Sequence, residues 1–195
     1  MARADIEQII KKAKEVCCLV VLDEAYWQYY GKTNYNFIMK YDNVIILQTF
    51  SKAYGLAGVR IGYAIAQESV LSILEKLRPP YSINMTAIIA ATVALDDQEY
   101  VNSYVKEVSE AKQLLEKFAR ENNIIIYPTG SNFCIMKVGD KNKEIITALK
   151  KEGIVLRELT DSQILGGCIR IGIGNKEQTF ILISALKRIL EKNKF

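Results

Sequence analysis

Val16 to Leu22 is a run of seven consecutive apolar residues, Val-Cys-Cys-Leu-Val-Val-Leu, stopped by the acidic pair Asp23-Glu24. The run is far shorter than the ~20 residues a membrane helix needs, and it suits a strand buried on both faces. Such a strand requires helices on either side of its sheet. One precedes it: Ile6, Ile9, Ile10 and Ala13 recur at helical spacing over residues 5–15. Two more apolar runs follow, Val44 to Leu47 and Val59 to Ala66, and then a helical stretch from Glu68 to Leu77 ended by Pro79-Pro80. Buried strands interleaved with helices predict an α/β layer with a mainly parallel sheet.

Beyond the diproline, residues 85–95 read as an apolar helix. Val101, Val105, Val108, Leu115 and Phe118 then mark a long amphipathic helix ending near Asn122-Asn123. The rest reads as strands at 124–127 and 132–138, a helix at 143–151, strands at 154–157 and 168–173, and a helix at 176–192. That is an α+β unit, with Asn175 and Gln178 spaced as a capping box for the final helix. The chain is thereby expected to divide into residues 1–80, a connecting helical part 81–122, and a small α+β domain 123–195.

Composition narrows the chemistry. The 195 residues include no histidine, which excludes Ser-His and Cys-His dyads and His-ligated zinc. Cys17, Cys18, Cys134 and Cys168 show neither C-x-x-C spacing nor the density of a disulfide scaffold, so they read as reduced core thiols and no metal site is expected. Basic residues number 26 against 22 acidic, a net +4 spread without a basic block, so nucleic acid is not the expected partner. Neither a membrane span nor a signal-peptide h-region is visible, and a cytoplasmic protein is the expectation.

Three places could carry chemistry. Asp23-Glu24-Ala25-Tyr26 closes a strand at its C-terminal end, where open α/β sheets place ligands, although acidic residues there are most often solvated turn groups. Thr49-Phe50-Ser51-Lys52-Ala53-Tyr54-Gly55-Leu56-Ala57-Gly58-Val59-Arg60 again begins where a buried strand ends. In a strand from Val59, alternation puts Arg60 on one face with Gly62, Ala64 and Ala66. An arginine fork with that much room, beside the Thr49 and Ser51 hydroxyls, suits a phosphate. No Walker P-loop is present. Finally, Arg157 ends one apolar strand and Arg170 interrupts another, with Gly172 as its same-face neighbour. Each demands an anion, whether Glu158, Asp161 or a substrate.

Taken in order, D-E-A-Y, T-F-S-K-A-Y-G-L-A-G-V-R-I-G-Y, R-P-P-Y-S-I-N, V-L-R-E and I-R-I-G-I-G resemble the pyridoxal-phosphate-dependent aminotransferases of fold type I. Within them the chain is most similar to the histidinol-phosphate aminotransferases, over essentially its whole length. The resemblance implies a remnant of that fold's large domain followed by its C-terminal small domain. It implies that Lys52 bonds the aldehyde of pyridoxal 5'-phosphate and then shuttles a proton, a task for an amine in its neutral form. Asp23 would hold a proton on the pyridine nitrogen, Tyr26 would donate to the phenolic oxygen, and Thr49, Ser51 and Arg60 would share the phosphate. Arg170, helped by Arg157, would take the anionic ends of amino-acid and keto-acid substrates, and Tyr81 would approach the site from its loop.

The implied reaction exchanges an amino group between L-histidinol phosphate and glutamate, through their keto partners, in histidine biosynthesis. Such enzymes are commonly homodimers. They also carry a long portion ahead of the helix that precedes D-E-A-Y, so the resemblance is to their C-terminal part, and a separate N-terminal half is an expected partner. Two other readings stand beside this one: an enzyme resembling threonine-phosphate decarboxylase, and a fragment that catalyses nothing.

Overall fold

The computed structural model describes residues 1–159 and 164–192. They form two compact units, Met1–Val101 and a second from Asn102 on, with the boundary inside one long helix. Among the described residues no helix is long and apolar enough to cross a membrane.

The first unit runs α1 (Arg3–Glu15), β1 (Val20–Asp23), a single turn α2 (Trp27–Tyr30), β2 (Val44–Thr49), β3 (Gly62–Ala66), α3 (Glu68–Leu77) and α4 (Met85–Asp96). Its three-stranded sheet has the order β1-β2-β3. The β1–β2 pairing is parallel, as expected, with Val20 opposite Val44 and Asp23 opposite Leu47. The β2–β3 pairing is antiparallel, with Thr49 opposite Gly62 and Ile45 opposite Ala66. The expectation of a mainly parallel sheet thus gives way to a mixed one. No crossover helix lies between β2 and β3, only a loop with one 3-10 turn (Ala57–Val59), so the chain can only fold back on itself.

The first apolar run divides in two. Val16 to Cys18 close α1 instead of starting the strand: the Cys17 amide donates to the Lys14 carbonyl at 3.1 Å and that of Cys18 to Ala13 at 2.8 Å, with Cys17 left-handed at φ 54°. Nor is the strand buried on both faces. Val20 and Leu22 face a core of Ile10, Phe37, Ile38, Val44 and Ile46, whereas Val21 is 54% exposed on the other face, which it shares with buried Ile45 and, toward the strand end, with exposed Leu47 and Ala64. The buried members stabilise the unit by about 1.5–3 kcal/mol each. Asn43 ties α1 to this sheet, its amide donating to the carbonyls of Ile10 and Cys18, both at 3.1 Å. Helix α3 stops where expected, because Arg78 before the diproline is extended. The N-terminus of α4 is capped by Asn84, whose side chain accepts from the Ala87 amide at 2.8 Å.

Helix α5 (Gln98–Glu121) crosses into the second unit. There β4 (Ile125–Tyr127), β5 (Phe133–Lys137), β6 (Arg157–Glu158) and β7 (Cys168–Gly172) form an antiparallel sheet in the order β4-β5-β7-β6, accompanied by α6 (Asn142–Lys151) and α7 (Lys176–Lys192). The strand expected over 154–157 meets the observed β6, Arg157–Glu158, only at Arg157. The capping box holds: Asn175 accepts from the Gln178 amide at 2.8 Å, and Gln178 accepts from that of Asn175 at 3.1 Å.

Only two of the four cysteines are core thiols. Cys134 and Cys168 are buried, while Cys17 and Cys18 are exposed in the turn after α1. Burial pushes the Cys134 thiol up to about 12, so at pH 8 only about one part in 10⁴ is the reactive thiolate. In a native thiol titration with a colorimetric disulfide reagent, Cys17 and Cys18 are therefore expected to react promptly. Cys134 and Cys168 should react only after denaturant is added, and prompt reaction of all four would contradict the packing of β5 and β7.

Candidate active site

Six of the residues singled out by sequence meet at one end of the first sheet. Asp23 is the last residue of β1, and the Glu24 amide extends the ladder by donating to Leu47 at 2.8 Å. The Asp23 side chain is exposed and accepts at Oδ1 from the Ala25 amide at 3.0 Å. This turn carries Tyr26 to the loop after β2, where the Lys52 ammonium lies 5.3 Å from the centre of the Tyr26 ring.

That loop is shaped by its apolar residues. Phe50, Ala53 and Tyr54 are buried, and the Phe50 ring packs on Tyr54 at 4.8 Å and Tyr63 at 5.5 Å between centroids. Gly55, left-handed at φ 70°, closes the turn by donating to the Lys52 carbonyl at 3.0 Å, and the Leu56 amide returns to Phe50 at 3.0 Å. With its neighbours anchored inward, Lys52 is left half-exposed. Thr49 accepts at Oγ1 from the Ser51 amide at 3.0 Å, fixing both hydroxyl-bearing residues at the end of β2.

Arg60 reaches the same place by a different route from the one its sequence implied. It is not on the strand but in the left-handed region at φ 57°, just before β3, and so shares no strand face with Gly62. Its Nη1 donates to the Ala57 carbonyl at 3.1 Å, which steadies an exposed guanidinium. Together with Thr49, Ser51, Gly62 and Ala64 it lines an open cleft of about 420 Å³. Gly62 is required by a close approach: a Cβ there would stand 2.8 Å from the Gln48 carbonyl oxygen. Among the described residues neither Lys52, Arg60 nor Asp23 makes an ion pair. The cluster therefore offers an amine, a guanidinium, two hydroxyls and a carboxylate to an incoming group.

Tyr81 is not brought to this cleft. It is fully exposed and left-handed at φ 61° in the turn between α3 and α4.

Arg157 and Arg170 belong to the second unit and stand directly opposite each other across β6 and β7. Like charges in that register repel unless an anion lies between or beside them. The Arg170 guanidinium stacks over the Phe133 ring at 3.8 Å, which holds its plane. Among the described residues neither arginine pairs with Glu158, which points to the opposite face of β6. Asp161, the other acidic residue near Arg157 in sequence, lies outside the described residues.

Glu24, whose position after a strand predicts a solvated turn group, is 8% exposed and fully engaged. Its carboxylate accepts from Thr33 Oγ1 at 2.6 Å, from the Asn34 amide at 2.7 Å and side chain at 3.0 Å, and from Gln48 Nε2 at 2.9 Å. Gln48 in turn accepts from the Tyr63 hydroxyl at 2.6 Å. Burial pushes that phenol above its usual range. One sequence signal pointed there: Gln48, a polar residue continuing an apolar strand, needs a buried partner.

The sequence profile of the family described as aminotransferase class I and II matches residues 1–186. A histidinol-phosphate aminotransferase of Flavobacterium johnsoniae is 38% identical over 184 residues, 93% of this chain and 52% of that protein. The chain spans about half the length of the curated relatives it matches. Among solved structures, the histidinol-phosphate aminotransferase of Sinorhizobium meliloti in complex with pyridoxal-5'-phosphate superposes with a TM-score of 0.84 at 27% identity, covering 96% of this chain and 53% of that one. A decarboxylase from Sulfurospirillum multivorans superposes with a TM-score of 0.79 at 26% identity, covering 97% and 57%. By profile, sequence and fold, the chain belongs to the aminotransferase class I and II family of pyridoxal-phosphate-dependent transferases.

Proposed function

We propose that this chain carries the lysine-bearing part of a transamination site for L-histidinol phosphate, with glutamate and 2-oxoglutarate as the second pair. The observation that carries the reading is the meeting of Lys52, Asp23 and Tyr26 with Thr49, Ser51 and Arg60 at one end of one sheet. These donors suit pyridoxal phosphate, and the exposed Gly62 and Ala64 leave room for it beside Arg60. Bound there, it would supply an electron sink for negative charge developing at the substrate Cα. Asp23 would hold a proton on the ring nitrogen, and Tyr26 would donate to the phenolic oxygen. Thr49 and Ser51 would donate hydroxyls to the phosphate while Arg60 met its charge. Lys52 Nζ would bond the aldehyde carbon in place of its oxygen, which would leave as water, and, once displaced by the incoming amine, would take a proton from Cα.

Arg170 and Arg157 would bind the anionic end of each substrate in turn, a task that suits two forks facing one anion. The homodimer, the cytoplasmic setting and the place in histidine biosynthesis belong to the same proposal. A second reading is favoured by the similarity to a decarboxylase: the same donors acting on another phosphorylated amino acid. Release of carbon dioxide without a keto-acid acceptor would identify it.

Titration of the chain with pyridoxal phosphate, borohydride reduction and peptide mapping tests the shared basis of both. A single label at Lys52 is expected. Label scattered over surface lysines would favour the non-catalytic reading.

A further inference from the structure

Glu24 does not face the cleft, yet it connects the three strand ends that build it. Asp23, Leu47, Thr49, Gly62 and Ala64 lie on the open face of the sheet. Glu24, Gln48 and Tyr63, one residue along in each strand, lie on the covered face beneath them. The Glu24 carboxylate joins the loop at Thr33-Asn34 to Gln48 on β2, and Gln48 joins Tyr63 on β3. We infer that Glu24 is a positioning residue for the cofactor site, holding Asp23 and Thr49 in fixed relation from below.

The chemistry asks for a carboxylate specifically. Each Glu24 oxygen accepts two hydrogen bonds, one oxygen from Asn34 and the other from Thr33 and Gln48. E24Q would turn an NH₂ toward the Asn34 donors or toward that of Gln48, and Gln48 could turn its oxygen to meet it only by taking that oxygen from the Tyr63 hydroxyl, so either way a donor loses its acceptor. Exchanging the pair repairs this. In E24Q/Q48E the amide oxygen now at position 24 accepts from Asn34, and the NH₂ beside it donates to the carboxylate now at position 48 and to the Thr33 hydroxyl, while Tyr63 still has an acceptor. Two amides report the consequence directly, because Ala25 donates to Asp23 Oδ1 and Ser51 to Thr49 Oγ1, both at 3.0 Å.

The affinity part of the test rests on the function proposed above, and the amide part does not. E24Q and Q48E are each expected to weaken pyridoxal phosphate binding about tenfold and to speed hydrogen exchange at Ala25 and Ser51 more than in the Ile10–Ile46 core. The double exchange should bring affinity back to within about threefold of the parent. A merely structural role would speed exchange evenly and would not respond to the swap. Singles that bind and exchange like the parent, or a double no better than either single, would overturn the inference. If the parent itself takes no label at Lys52, the cofactor reading fails, and exchange at Ala25 and Ser51 still decides the role of Glu24. If E24Q does not fold, Y63F, which removes one hydroxyl from the same chain of bonds, should speed exchange at Ser51 about threefold, and no change would refute the inference.

Discussion

Replacing Lys52 by alanine is expected to remove the borohydride-fixed label entirely and to lower transamination by about 10³-fold or more, because in the proposed site this one side chain would supply both the nucleophile and the proton carrier. The fold should not notice. Lys52 is half-exposed and makes no ion pair among the described residues, while the turn around it is held by Phe50, Tyr54 and Gly55. Thermal stability should therefore change by no more than about 0.5 kcal/mol. K52R keeps the charge but places there a group that cannot deprotonate, so it should be as inactive as K52A. Activity retained in K52A, measured by glutamate-dependent product formation, would remove Lys52 from the chemistry.

Arg170→Ala should act on binding instead. On the proposed role, losing a guanidinium that would meet a phosphate or carboxylate is expected to raise KM about 10²-fold for both substrates with a smaller change in kcat, since the anion would be held before and during the reaction alike. Discrimination between L-histidinol phosphate and L-histidinol should fall with it. R170K should recover only part, because the planar stacking on Phe133 and the two-pronged contact are lost. Arg157, exposed at the start of the two-residue strand β6, should matter less. Equal loss with the unphosphorylated alcohol would show that Arg170 serves the sheet rather than the substrate.

The site loop was legible because its pattern is local. Thr49 to Arg60 combines a strand end, aromatic anchors and a turn glycine within twelve positions, and the Asn175–Gln178 cap spans four. Position in the chain was also enough to set Asp23 at a strand end. What depended on geometry was misjudged. Cys17 takes a left-handed turn that no apolar pattern announces, so β1 begins at Val20 rather than Val16. Alternation carried back to Val59, three residues ahead of β3, put Arg60 on a strand, whereas its positive φ places it in a loop. Glu24 looked like a surface acid because its partners are up to 24 positions away, where sequence shows no hydrogen bonds. The open face of the sheet was hidden for the same reason: a continuous apolar run reads alike whether one side or both are covered.

That open face has a bearing on how any variant is assayed. Val21 and Leu47 present bare hydrocarbon beside Asp23 on the sheet whose β2 end leads to the Lys52 loop, and self-association there would block the cleft without altering a single side chain of the candidate site. Inactivation by that route rises with protein concentration and with sulfate, which strengthens apolar contact. A missing amine or guanidinium lowers activity equally at every dilution. Specific activity that climbs as the protein is diluted is therefore the mark of an obstructed site, and a dilution series separates it from a broken one.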